Sequence, residues 1–225
     1  MKNLKGKIIS GAIMTAFVLI FSFTATAQQK GQFGLRFMPT FSRLDFNISD
    51  GGTTRGDVTL GYGFGAVLAY NFSKIVGVQT EVIYNSISQK YSENDAEHKI
   101  DLKYINIPLM LSLNTGRYSA VNFNIVGGPQ IGLSVGSKLT SSGTQNDSDP
   151  VLAVKKGDLG VAYGAGFDFG LNQAKTFRLG IGFRGVLGLL DISDDSKTID
   201  NDSYYLLDKN QVKSYSGYIG GSFLF

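Results

Sequence analysis

The chain has 225 residues, no cysteine, 29 glycines, and 21 Lys and Arg against 18 Asp and Glu. Without cysteine there are neither disulfide staples nor thiolate metal sites, and a lipid-anchored lipoprotein is excluded with them. Three of the cations, Lys2, Lys5 and Lys7, lie in the first 27 residues. The remainder balances at 18 to 18, which removes any charge argument for a nucleic acid or an acidic substrate.

Residues 1–27 read as a cleavable signal peptide. The three lysines form its positive start, residues 8–23 its apolar core, and Ala25-Thr26-Ala27 its small-residue cleavage pattern. The apolar run is short for a helix that spans a bilayer. The expected mature chain is 28–225, a single domain.

Eight segments of that chain alternate with period two, the signature of strands. The first, 32–46, sets Phe33, Leu35, Phe37 and Phe41 against Gly34, Arg36, Met38 and Thr40. The second, 58–70, sets Leu60, Tyr62, Phe64 and Leu68 against Thr59, Gly61, Gly63 and Gly65. The third, 75–87, opposes Val76, Val78, Val82 and Tyr84 to Gln79, Glu81 and Asn85. The fourth, 100–113, opposes Ile105, Ile107, Leu109 and Leu111 to Tyr104, Asn106, Met110 and Ser112. Pro108 in its middle predicts a bulge or a gap in pairing.

In the fifth, 120–135, Val121, Phe123, Ile125 and Ile131 alternate with Asn122, Asn124, Gly128 and Gln130. In the sixth, 158–169, Leu159, Val161, Tyr163 and Phe167 alternate with Gly160, Ala162, Gly164 and Asp168. The seventh, 176–190, opposes Phe177, Leu179, Ile181 and Phe183 to Arg178, Gly180, Gly182 and Arg184. The eighth, 215–225, closes on Phe223, Leu224 and Phe225. No stretch of 28–225 has helical periodicity.

Long and short connections take turns along the chain, about 11, 4, 12, 6, 21, 6 and 21 residues. That layout predicts an all-β fold, an eight-stranded antiparallel up-and-down transmembrane β-barrel with short periplasmic turns and long external loops. A soluble barrel of the lipocalin kind is the rival, and it would turn its apolar face inward. Here the minority face carries Gly, Ser, Asn and Gln with a few charges. A glycine-rich face gains nothing in water but suits a narrow lumen, so the apolar face is assigned to lipid. Tyr62, Tyr70, Tyr84, Phe169, Phe177, Tyr215 and Phe225 are expected as interfacial girdles.

The segment Val78-Gln79-Thr80-Glu81-Val82-Ile83-Tyr84, followed by Tyr104-Ile105-Asn106-Ile107-Pro108-Leu109-Met110-Leu111, resembles the core of PorT-like outer-membrane β-barrel proteins of Bacteroidetes. Phe183-Arg184-Gly185-Val186-Leu187-Gly188-Leu189 is similar to a later strand of that family. Asn106 stands where the family often has Glu, which implies one carboxylate fewer in a lumenal Glu–Arg network. The resemblance implies a place in the outer membrane, and for the family's namesake a part in type IX protein secretion. Likeness to outer-membrane terminal strands implies that Phe223 and Phe225 are the assembly signal read by the barrel-assembly machinery.

Arg36, Gln79, Glu81, Asn106, Asp168, Arg178 and Arg184 form the expected lumenal polar network, an ion-paired plug rather than a gated conduit. The acidic run 191–211 carries Asp191, Asp194, Asp195, Asp200, Asp202 and Asp208 without calcium-loop spacing, and reads as a solvated loop. The lone histidine, His98, sits near Asp95, Glu97 and Asp101 in the second long connection. That grouping could mimic the base of a lipid A-modifying enzyme. A solvated loop histidine is the plainer reading. No catalytic, cofactor-binding or metal residue is therefore assigned.

The expected role is a non-enzymatic outer-membrane protein, structural or interaction-mediating through its long loops. Alternatives are an accessory of type IX-like secretion, a lipid A-modifying enzyme and a narrow solute pore. Expected partners are outer-membrane lipid, the assembly machinery and an extracellular or periplasmic protein, with no nucleic acid.

Overall fold

The computed structural model describes residues 30–43, 45–47, 53–55, 59–93, 96–142, 149–194, 203–205 and 213–225. In chain order the strands begin with β1 (Gly31–Arg43), β2 (Asp45–Asn47), β3 (Thr53–Arg55), β4 (Thr59–Asn71), β5 (Val76–Glu93) and β6 (Ala96–Asn114). There follow β7 (Val121–Ser142), β8 (Asp149–Val151), β9 (Gly157–Gly170), β10 (Phe177–Gly188), β11 (Ser203–Tyr205) and β12 (Lys213–Leu224).

Eight of them close a ring in the order β1-β12-β10-β9-β7-β6-β5-β4, every neighbouring pair antiparallel. Closure leaves no unpaired sheet edge, which is the condition for strands to lie in hydrocarbon. The seam joins the first strand to the last: Phe33 stands opposite Phe223, and the Gly31 and Phe225 backbones exchange two hydrogen bonds of 2.8 and 2.9 Å. No helix among the described residues is long and apolar enough to cross a membrane.

The side-chain period decides which face meets what. Leu60 is 61% exposed and Phe64 53%, whereas Glu81 is 2% exposed and Arg178 1%. The apolar face points out and the polar face in, the inverse of a soluble barrel. On β6 the outward run Ile105, Ile107, Leu109, Leu111, Leu113 covers about nine residues, the length a tilted strand needs to cross a bilayer. Ring pairs such as Phe177 with Phe223 and Phe183 with Tyr215 stud that band, at centroid distances of 5.0 and 6.1 Å.

Three short turns, at 72–75, 115–120 and 171–176, mark one end of the ring, the periplasmic end of such barrels. At the other end β5, β6 and β7 run well past their neighbours. The predicted 12-residue connection after the third strand is not a loop: only residues 94 and 95 separate β5 from β6. His98 accordingly stands on β6, in register with Tyr91 and Ser141. Its side chain lies outside the described residues.

Pro108 does interrupt pairing. The β5–β6 register passes from Thr80–Leu109 to Ile83–Asn106, and the Thr80 hydroxyl donates to the Pro108 carbonyl at 2.9 Å. A second irregularity, a shift beside Lys103 and Tyr104, makes Ser134 the partner of Tyr104 but Gly136 the partner of Lys103. Val135 is the extra residue, and beyond it β7 turns its odd-numbered side chains inward.

Candidate functional site

The lumen is built in layers, each from the inward residues of several strands. In the central layer one carboxylate oxygen, Glu81 Oε1, accepts from Arg36 Nη1 at 2.6 Å, Arg184 Nη2 at 2.7 Å and Gln79 Nε2 at 2.6 Å. Arg184 also directs Nη1 at the Met110 sulfur, 2.8 Å away. The Arg36 guanidinium lies 3.9 Å from the centre of the Tyr218 ring, a cation–π contact. The hydroxyl end of that ring lies against Gly166 on β9 and Gly182 on β10, and a Cβ on Gly182 would come within 2.6 Å of its Cζ. Met38 and Ile83 pack beside Tyr218, so the wall of the lumen is partly apolar. A second inward apolar group, Met110, Val126, Ala162 and Val186, extends that departure from the predicted polar face.

The periplasmic layer centres on Asp168. Its Oδ2 accepts from Arg117 Nη1 at 3.0 Å, Asn124 Nδ2 at 2.9 Å and Asn122 Nδ2 at 3.2 Å. Asn114 Oδ1 accepts from Arg117 and Asn122 in turn. Arg178 donates to the carbonyls of Asp168 at 2.9 Å on β9, Ser119 at 3.1 Å and Lys175 at 3.3 Å, fastening two turns to the barrel wall. Arg117 stands on the 115–120 turn, where burial lowers its guanidinium from the ordinary value and the Asp168 carboxylate opposes that shift.

The seven predicted lumenal residues therefore occupy three places. Arg36, Gln79, Glu81 and Arg184 share the central layer, and Asp168 and Arg178 the periplasmic one. Asn106 stands higher, opposite Gly132 on β7. Arg117 escaped sequence reading because it lies on a turn, where no alternation assigns a face.

Above the central layer the inner face changes character. Ile87, Ile100, Leu102 and Tyr104 on the tall β5–β6 ribbon enclose Ile192, with Leu139, Leu152 and Val154 against them. The segments 152–156 and 189–194 are folded over the mouth. Lys155 N donates to the Ile192 carbonyl at 2.8 Å, and Asp194 N to that of Ala153 at 3.2 Å. Asp191 is part of this cap, since its Oδ1 accepts from both the amide and the hydroxyl of Ser193. Of the other carboxylates in the acidic run, Asp194 is described, while Asp195, Asp200, Asp202 and Asp208 lie outside the described residues. Among the described residues no cluster of His, Asp and Glu could hold a metal.

The barrel thus carries a salt-bridged centre, a hydrogen-bonded periplasmic floor and an apolar roof.

The model of the outer membrane protein beta-barrel domain family matches residues 26–194. No curated protein matches the sequence. Among solved structures, the outer membrane protein OprG from Pseudomonas aeruginosa is similar at 16% identity and a TM-score of 0.49, over 87% of this chain and 96% of that one. Neisserial surface protein A is similar at 13% identity and a TM-score of 0.46, over 89% and 100%. Ail, the attachment invasion locus protein of Yersinia pestis, is similar at 17% identity and a TM-score of 0.39, over 86% and 99%. With the family model spanning most of its length, the chain belongs to the outer membrane protein beta-barrel domain family, and its ring of strands is an outer-membrane barrel.

Proposed function

We propose that this barrel is a closed, non-enzymatic outer-membrane protein that acts through its tall ribbon and external loops on a partner outside the cell. The observation that carries the reading is the Glu81–Arg184 bridge, which ties opposite walls together in the middle of the lumen. A conduit requires that bridge to part, and separating two buried, mutually paired charges costs several kcal/mol. The test is a planar-bilayer recording of the purified protein, for which no stepwise current is expected. Wild-type steps that change on Glu81→Ala or Arg184→Ala would establish a pore instead.

The resemblance to PorT-like barrels, carried by the segments around Glu81 and Pro108, favours a second reading as an accessory of type IX-like secretion. A deletion strain should then retain secreted cargo; an unchanged secretome excludes it. Lipid A mass spectra of the same strain test the enzymatic alternative, which needs a modification that disappears with His98→Ala. Maturation after Ala27, leaving 28–225 as the barrel domain, is checked by sequencing the N-terminus of the protein recovered from membranes.

A further inference from the structure

The outward face of the ribbon holds a second feature that the closed lumen does not involve. On β6 the apolar band ends at Ile105, and the next outward positions are Lys103, Asp101 and Lys99. Lys103 faces Ser86 on β5 and Gly136 on β7, with its stem lying over that glycine, Cδ 3.7 Å from where a Cβ would stand. Lys138 on β7 is in register with Asp101, and Lys90 on β5 with Lys99.

Among the described side chains one carboxylate, Asp101, faces this group, and it is engaged by Ser88 and by Lys99 at 3.4 Å. Among the described residues no carboxylate lies within ionic reach of Lys103 or Lys138, both of them exposed. Among the described residues the patch carries more cations than carboxylates, stands on the paired strands β5, β6 and β7, and is continuous with the apolar band below it.

Depth identifies the occupant. Two residues of strand advance about 7 Å, so Lys103 stands at headgroup level just above Ile105, while Lys99 and Lys138 stand higher on the same face. A lysine so placed lays its stem along apolar surface and holds its ammonium among anionic headgroups. We propose that this face binds the phosphorylated headgroup of an outer-leaflet glycolipid, whose acyl chains lie against Ile105, Leu133 and Val135. A bilayer lipid presents phosphate at that height and hydrocarbon directly beneath it. A free anion has no use for the apolar half of the site, and an external protein has no reason to approach at bilayer depth.

The test uses the full mature chain in mild detergent, with lipopolysaccharide binding read by native mass spectrometry and by retained lipid phosphorus. Wild-type protein should hold lipopolysaccharide, and the K99Q/K103Q/K138Q variant should bind at least about tenfold more weakly. Chemically dephosphorylated lipopolysaccharide should bind the wild type weakly to the same degree. That arm decides the question even where the triple variant fails to fold. Inorganic phosphate at matched phosphorus should not displace the lipid. K30Q/K74Q, at the opposite rim, should leave binding unchanged. Equal binding by the triple variant, equal binding of the dephosphorylated lipid, or displacement by inorganic phosphate each overturns the proposal.

Discussion

Glu81 and Arg184 meet at 2.7 Å across the full width of the barrel, because β5 and β10 stand four places apart in a ring of eight strands. Arg36, two places from each, completes the layer at 2.6 Å. Glu81 is thus the only carboxylate shared by two guanidiniums in this layer of the described structure. Glu81→Gln should destabilise the barrel by about 3–5 kcal/mol, since it leaves both cations buried without a counter-charge. Urea unfolding in lipid vesicles measures this. The Glu81→Gln/Arg184→Met pair should recover much of the loss, and a double variant no better than the single one would show that repulsion is not the cause.

Gly182 and Tyr218 define a fit that only glycine allows. A Cβ at 182 meets the ring at 2.6 Å, and on its backbone side it meets the Ala165 carbonyl. Gly182→Ala should cost about 1–3 kcal/mol through overpacking. Adding Tyr218→Ala should cost less than the sum of the two single changes, because one void relieves the other's clash. Strict additivity in vesicle unfolding would place the strain elsewhere.

The apolar roof should yield separately from the barrel. Ile192→Asp puts a carboxylate into the group formed by Ile87, Ile100 and Leu102. The expected outcome is faster cleavage of the 189–212 connection by protease added to intact cells, with unchanged heat-modifiable migration of the barrel. Loss of the folded band would mean instead that the roof and the staves unfold as one unit.

Phe225 is expected to serve assembly as well as closure. Its ring covers Gly31, where a Cβ would lie 2.5 Å from the ring edge, and its backbone pairs with the same residue. Phe223 next to it packs on Phe177 at 5.0 Å. Deleting Phe225 should lower the amount of folded protein in the outer membrane far more than any single loop substitution. Quantified membrane fractions with normal levels of the truncated chain would remove Phe225 from the assembly signal.

Most of the spanning staves could be read directly from the chain. From Leu60 to Tyr70, or from Leu159 to Phe169, each outward residue is apolar and, Val67 apart, each inward one small or polar. In the spanning part of the barrel every strand has one face in lipid and one in a narrow lumen, so a period of two carries nearly all the information. Where a strand leaves the bilayer that contrast fades. Ile87, Ile100 and Leu102 are apolar yet inward, while Lys99 and Lys103 are polar yet outward, so the alternation continues with its meaning reversed. At Val135 the bulge shifts the parity of β7 as well, so the alternation predicts an end at residue 135 for a strand that runs to Ser142.

Local sequence, then, was enough to determine the eight staves where they span the bilayer, most of their inward and outward positions there, and the membrane as their solvent. These follow from near neighbours in the chain and from the solvation of each side chain. It also named Glu81, Arg36 and Arg184 as lumenal. It did not tell which charges meet, because partners 45 and 103 residues apart are set by strand order and register around the closed ring. Tertiary structure alone decided that Asn106 stands away from the charged layer, that Arg117 and Asp168 close the floor, and that Ile192 seals the roof. Each of those outcomes depends on the height at which a residue is held in the ring, a quantity that closure determines and no local pattern encodes.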